Sequence, residues 1–259
     1  MAVYLKQFST HAEYDAYING SGAILPNVSI CTTEGDVHYN PFVVDPCASE
    51  KVSTTYDYVE IGGIKWATKN VGAKSITDCG QYFSWGGVNG FTADQVSGDC
   101  HSFSWENYEY GNGTSLPTAT GMSKYNSSDG KTTLEPTDDA ATVNMGAGWQ
   151  TPSVYQFQLL LVNYTTSAWT ADYEGSGVAG LVCTDKTDSS KTLFFPACGY
   201  CYNSSVYDVG SYGHYWSRGV YTTSKEQSYY LSFGQGGSNY NARSNRNTGL
   251  TIRGIFTDS

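Results

Sequence analysis

Charge is scarce in this sequence, and positive charge scarcer still. Only 15% of its 259 residues are Asp, Glu, Lys or Arg, with 14 basic against 24 acidic side chains and a formal net charge of −10. A protein that holds nucleic acid needs a basic footprint to displace counterions from phosphates, so nucleic acid is excluded as the main partner. Long apolar runs are missing too. None approaches the roughly 20 residues that a membrane-spanning helix needs, and no membrane partner is expected. The opening MAVYLKQFSTHAEYDAYING lacks the uninterrupted apolar stretch of a secretory signal. The expectation is a chain made in a cytosol, which stays there or leaves inside something assembled there. On that expectation the Asn-x-Ser/Thr sequons at Asn27, Asn112, Asn126, Asn163 and Asn203 carry no weight in so Asn- and Ser-rich a chain.

Clustered metal and redox ligands are also missing. The four histidines, His11, His38, His101 and His214, stand in no metal or triad spacing. The seven cysteines (Cys31, Cys47, Cys79, Cys100, Cys183, Cys198, Cys201) are odd in number and scattered, so no disulfide framework is expected. The single CxxC, Cys198 to Cys201, lacks the second pair of a zinc site. A redox CxxC opens a helix, whereas this one ends the strand-like TLFFPACGY, and unpaired structural thiols are expected. Asp138 and Asp139 are adjacent, a poor arrangement for two carboxyls flanking one bond; capping a turn or helix is the expected role. The expectation is no enzyme, with no catalytic residue, no metal and no cofactor.

What is abundant is Tyr (22), Gly (29) and Trp (6), which argues against a helical bundle and for strands and loops. Residues 1–50 read as a small attachment or assembly module, or equally as an N-terminal extension packed on the main domain. FSTHAEYDAYING suggests one short helix, and AILPNVSICTTEGDVHYNPFVV two strands around TEGD. DPCASEKVSTT reads as a linker. From Tyr58, YVEIGGIKWATKNVGA is strand, Gly-Gly turn, strand. Gly87 to Asp138 is irregular and pinned by Phe103, Trp105 and Tyr108. SVYQFQLLLVNY is a helix with a Ser153/Gln156 capping box and an apolar face of Val154, Phe157, Leu160 and Leu161. Strands follow at GVAGLVCT, KTLFFPA, HYWSR, YYLSF and LTIRGIF.

One stretch stands apart. GGSNYNARSNRNTG, Gly236 to Gly249, has almost nothing apolar yet lies between the last two strand-like runs. Its composition reads as a loop or as a binding face, where Tyr supplies rigid contact area and Ser, Asn and Gly supply adaptable hydrogen bonds. Alternation in YYLSF turns Leu231 and Phe233 inward and Tyr230 and Ser232 outward.

The ordered set VEIGGIKWATKNVGA, GQYFSWGG, TTLEPTDDAATVNMGAGWQTPSVYQFQLLL, LFFPACGY, GSYGHYWSRGVY, YYLSFG and TIRGI resembles the Fibrobacter succinogenes major paralogous domain family, part of the C-type-lectin-like group of the formylglycine-generating-enzyme type. The resemblance spans about residues 56 to 256. It implies an α+β C-type-lectin-like domain over 56–257, and Trp216 as the family's buried aromatic. Some members of this group are variable proteins of diversity-generating retroelements, in which codons near the 3′ end are rewritten at adenines. Asn codons so rewritten give residues such as Tyr, Ser, Asp, His, Arg and Gly but never a stop, and SNYNARSNRN is the kind of segment that results. LPNVSICTTEGDVHYNP is similar to segments of virion proteins from phages of gut bacteria.

Together these imply a hypervariable face at about 210–249 on a phage receptor-binding protein. It would sit in the virion as tail fibre or spike and recognise a bacterial surface protein or glycan. Its N-terminal module would meet other virion proteins, and homo-oligomers fit the same picture. The expected ligand-binding residues are Tyr212, His214, Tyr221, Tyr230, Ser232, Gln235, Ser238, Asn239, Tyr240, Asn241, Arg243, Ser244, Asn245 and Arg246. Arg253 is expected in an ion pair with a buried carboxylate. The alternatives are a formylglycine-type enzyme, against which the placing of Cys198 and Cys201 three apart on a strand argues, and a structural subunit or adhesin with a fixed face. A calcium-dependent lectin is disfavoured, because residues 228–249 hold no carboxylate.

Overall fold

The computed structural model describes residues 6–8, 30–32, 37–38, 47, 56–113 and 121–257. The chain divides into two compact units between Ala48 and Ser49. In the first, β1 (Lys6–Phe8) runs parallel to β2 (Ile30–Thr32), which pairs antiparallel with β3 (Val37–His38). The paired residues are Ile30↔His38 and Cys31↔Val37; the TEGD between them lies outside the described residues. The helix expected at FSTHAEYDAYING lies outside the described residues except for Phe8, which ends β1. The expected linker lies outside them except for Cys47.

The second unit is α+β, built from several small sheets. Its strands are β4 (Tyr58–Ile61), β5 (Ile64–Asn70), β6 (Trp149–Gln150), β7 (Thr165–Thr170), β8 (Gly180–Asp185), β9 (Thr192–Pro196), β10 (Tyr200–Tyr202), β11 (Ser205–Tyr207), β12 (Tyr212–Val220), β13 (Gln227–Gly234), β14 (Gly237–Asn245) and β15 (Arg253–Phe256). Short helices α1 (Ala93–Ser97), α2 (Ala140–Met145) and α3 (Val154–Gln158) lie between them. The sheets run β4-β5-β15-β6, β7-β8-β9, β10-β11 and β12-β13-β14. The last strand therefore sits between β5 and β6, so the two ends of the unit share one sheet.

Local chemistry explains several elements. Ile61 pairs with Ile64 across Gly62 and Gly63, whose φ values of 59° and 75° suit glycine in a two-residue hairpin turn. The Ser153 hydroxyl accepts from the Gln156 amide while the Gln156 side chain accepts from the Ser153 amide, so the expected capping box is formed. The chain then widens into a π-helical turn over Leu159–Tyr164. Phe157 and Leu160 are fully buried, and Val154 and Leu161 are half-buried. Asp139 caps α2, accepting from the Ala141 amide and from the Thr151 amide and hydroxyl. The acidic pair thus includes the expected helix cap.

Between Gly87 and Asp138 the described chain is mostly turns around α1, with Phe103 and Tyr108 buried as expected and Trp105 half-buried. One core joins Trp66, Phe157, Leu181, Phe195, Tyr215, Leu231, Phe233 and Ile255. A second joins Phe83, Trp85, Tyr125, Trp216, Leu250 and Ile252. Every residue from Arg246 to Ile255 is buried. This thread touches most of the unit, bridging Gly249 to Cys201, Leu250 to Phe83 and Thr251 to Tyr215.

Two expectations are corrected here. Arg253 is fully buried but meets no carboxylate. Its Nε and Nη2 donate to Asn70 Oδ1 at 2.9 and 2.7 Å, and its Nη1 donates to the Ala67 and Thr68 carbonyls at 3.1 Å each. Its plane lies over the Phe195 ring. Neutral acceptors and a ring face replace the counter-ion, and burial pulls the guanidinium down to about 10. The thiols are not all unpaired either. Cys79 and Cys198 form a disulfide across 119 residues with Cα atoms 5.5 Å apart. Cys100 is disulfide-bonded too, and so, in the first unit, is Cys47, while Cys183 and Cys201 are free and buried. A bridge between residues so far apart leaves no spacing to read.

Replacing both Cys79 and Cys198 by Ala should lower stability by about 2–4 kcal/mol, because the unfolded chain loses a long closed loop. Urea denaturation under non-reducing conditions checks this; an unshifted midpoint would mean that the bridge adds nothing.

Candidate ligand-binding face

GGSNYNARSNRNTG is not a loop. Its first part forms β14, the outer strand of the β12-β13-β14 sheet among the described residues. Gly234 pairs with Gly237, leaving Gln235 and Gly236 as the hairpin tip. The φ of 126° at Gly237 is open to glycine and strained for other residues. Asn, Gly and Ser disfavour strands, so composition alone hides β14. Pairing with β13 forms it, from Gln227↔Asn245 to Gly234↔Gly237.

The hairpin is exposed only where the core stops. Leu231, Phe233 and Trp216 are buried as expected. Along β14, Ser238, Asn239, Asn241, Arg243 and Asn245 are exposed, and so is Gln235 at the tip. Tyr240 is half-buried and packs on the core that holds Leu231 and Phe233. Ser244 is half-buried, its hydroxyl donating to Thr248 Oγ1 at 3.2 Å. Ser232 is half-buried between His214 and Asn239 on its two neighbours.

A concavity of about 660 Å³ lies on this sheet, lined by Tyr221, Gln227, Tyr229, Tyr230, Asn239, Asn241, Ala242 and Arg243. It gathers five of the residues singled out in the sequence: Tyr221, Tyr230, Asn239, Asn241 and Arg243. It adds Tyr229, which alternation with Leu231 and Phe233 assigns to the core. At Tyr229 the register of β12 has already slipped between Trp216 and Val220. The Tyr229 ring instead meets the edge of Tyr221 at 5.5 Å. Gln227, at the start of β13, carries no sequence signal. The Arg243 guanidinium lies 4.6 Å above the Tyr221 ring.

Beside the concavity runs a series of rings. His214 lies 5.3 Å from Tyr230 and 5.5 Å from Tyr200, and Tyr200 stacks on Tyr207 at 5.3 Å. Tyr212 is exposed and tilts toward His214 at 6.1 Å. His214 is less exposed than the sequence suggested. Its Nε2 is buried without a hydrogen-bond partner, and desolvation lowers its pKa to about 4, against the opposing pull of the Asp208 carboxylate.

Arg246 leaves the set of contact residues altogether. It is fully buried. Its Nε donates to Tyr108 Oη at 2.7 Å, Nη1 to the Tyr125 and Lys225 carbonyls, and Nη2 to the Lys124 carbonyl. Its plane sits 4.7 Å from Trp85 and 5.2 Å from Tyr108. This is a structural clamp, and nothing in the run of Asn, Ser and Arg marks where exposure ends.

Two outcomes follow. Arg246→Ala should cost about 3 kcal/mol or more by orphaning buried acceptors. Arg243→Ala, on the exposed strand, should stay within about 0.5 kcal/mol of wild type. Chemical denaturation of both variants checks the contrast, and equal losses would refute it. For His214, the folded pKa lies below the unfolded value of about 6.5. The neutral ring is therefore favoured in the fold, and its contribution is complete above about pH 6.5 and lost as pH falls toward 4. The groups facing it are Tyr200, Tyr212, Tyr230 and Asp208. Thermal melts of His214→Gln should show a shallower loss of Tm between pH 6.5 and 4 than wild type; identical slopes would exclude His214 as the source.

A family model described as a domain of unknown function (DUF8237) matches residues 183–254. That segment contains all of β12, β13 and β14 and most of the buried thread. No curated protein and no solved structure matches the chain.

Proposed function

We propose that this chain is a C-type-lectin-like ligand-binding protein whose β12-β13-β14 sheet carries a diversified recognition face. We read it as the receptor-binding protein of a phage, directed at a bacterial surface ligand. The observation that carries the reading is the asymmetry of β14. Asn239, Asn241 and Arg243 are exposed on a strand whose pairing partner, β13, is anchored by Leu231 and Phe233. Side chains at those three positions are replaceable without touching the core, which is what a tolerant binding surface on a rigid scaffold requires. Tyr, Asn, Gln and Arg around a shallow concavity are also the residue types of adaptable paratopes.

The formylglycine-type enzyme draws little support from the cysteines it would use. Cys198 is tied to Cys79, and the Cys201 thiol is buried, with desolvation pushing its pKa up. A reactive thiol needs access and a lowered pKa.

Deep sequencing of the gene's 3′ end and flanking DNA across a natural population tests the proposal. Variation should concentrate in the codons of Asn239, Asn241 and Arg243, spare that of Arg246, and be mirrored by a nearby near-copy that differs at adenines. A 3′ end no more variable than the rest of the gene, with no near-copy, would sink the diversified reading. At the protein level, replacing Asn239, Asn241 and Arg243 together by Ala should leave Tm nearly unchanged and alter ligand choice.

A further inference from the structure

The concavity has a chemistry more specific than general stickiness. Its one formally charged lining side chain is Arg243, on a chain whose net charge is −10. Among the described residues no hydrogen bond or ion pair engages that guanidinium, which stacks on Tyr221. Stacking fixes the plane and leaves the N–H edges free, which pre-organises a fork for a carboxylate. Around it stand amides from Gln227, Asn239 and Asn241 and the hydroxyl-bearing ring of Tyr229. Amides both donate and accept, as a ligand rich in hydroxyls requires. No carboxylate lines the concavity to repel an anion.

The second observation is the ring series. From Tyr230, which lines the concavity, centroids step to His214, Tyr200 and Tyr207 at 5.3, 5.5 and 5.3 Å. Tyr207 at the far end is exposed, while Tyr230, His214 and Tyr200 are half-buried and offer only their outer edges. An elongated ligand leaving the concavity along this series meets an apolar, aromatic track. A chain of sugar rings has both faces needed: C–H faces for the aromatics and hydroxyl edges for the amides. Polyglutamate supplies the carboxylates but has no apolar ring faces to lay along the track.

Resting on the ligand-binding reading above, we infer that the face binds a carboxylated oligosaccharide, one carboxylate on Arg243 and the following sugar units laid along Tyr230, His214, Tyr200 and Tyr207. Binding needs no metal ion.

The test uses the full chain and calorimetric titration with oligogalacturonate, oligoglucuronate and oligosialate in the presence of a chelator. The comparison probes are the same oligomers with their carboxyls reduced, and polyglutamate. At least one acidic oligosaccharide should bind. Carboxyl reduction and Arg243→Gln should each weaken it about tenfold or more, as loss of a charge-assisted pair does, with Tm unchanged. Tyr207→Ala should weaken a hexamer about fivefold and leave the monosaccharide unaffected. The inference is overturned if no acidic oligosaccharide binds, if reduced oligomers or polyglutamate bind as well, or if Arg243→Gln binds like wild type. If a bacterial surface protein instead binds in a way that depends on Asn239 and Asn241, the recognition reading stands and the saccharide falls. If replacing the β14 side chains affects no ligand, both fail.

Discussion

The buried thread from Arg246 to Ile255 is the constraint on which the rest of the second unit depends. It runs through the interior and carries a buried arginine near each end, neither paired with a carboxylate. A guanidinium out of water is costly unless each N–H finds an acceptor. Here backbone carbonyls, a Tyr hydroxyl, an Asn amide oxygen and aromatic faces supply what a counter-ion would. Those acceptors are distributed: Arg246 ties the thread to the 108–125 segment and to Lys225, and Arg253 ties it to β5. Residues far apart in sequence, Tyr108, Lys124 and Tyr125 of the irregular region among them, are thereby fixed by two side chains.

That arrangement also sets where variation is tolerable. On β14 the backbone hydrogen bonds go to β13, and the side chains of Asn239, Asn241 and Arg243 contribute no packing to the core. One residue past Asn245 the environment inverts, and Arg246 meets Tyr108, Trp85 and Tyr125. A boundary between a free surface and a fixed interior thus falls between adjacent residues of nearly identical local composition.

The sequence was legible where chemistry is local. The Gly62-Gly63 hairpin, the Ser153 capping box and the inward Leu231 and Phe233 all depend on neighbours a few residues away. It was opaque where structure depends on partners distant in the chain. The Cys79–Cys198 bridge, the bonds of Arg246 to the Lys124 and Tyr125 carbonyls and the neutral partners of Arg253 join segments more than a hundred residues apart. Tyr229 shows the intermediate case. Alternation with Leu231 and Phe233 assigns it to the core, yet beside the register slip in β12 it is half-buried, lines the concavity and meets Tyr221.

β14 carries the opposite lesson about propensity. Its residues, GSNYNARSN, contain no β-branched or large aliphatic side chain. On intrinsic preference such a segment is a poor strand, and an outer strand built from good strand formers would recruit other chains along its open edge. Polar, charged and small residues give up propensity that the pairing with β13 restores, while making the open edge a poor template for aggregation. A binding surface on an edge strand needs that compromise regardless of its ligand. The composition that reads as a loop in the sequence is therefore compatible with an exposed outer strand.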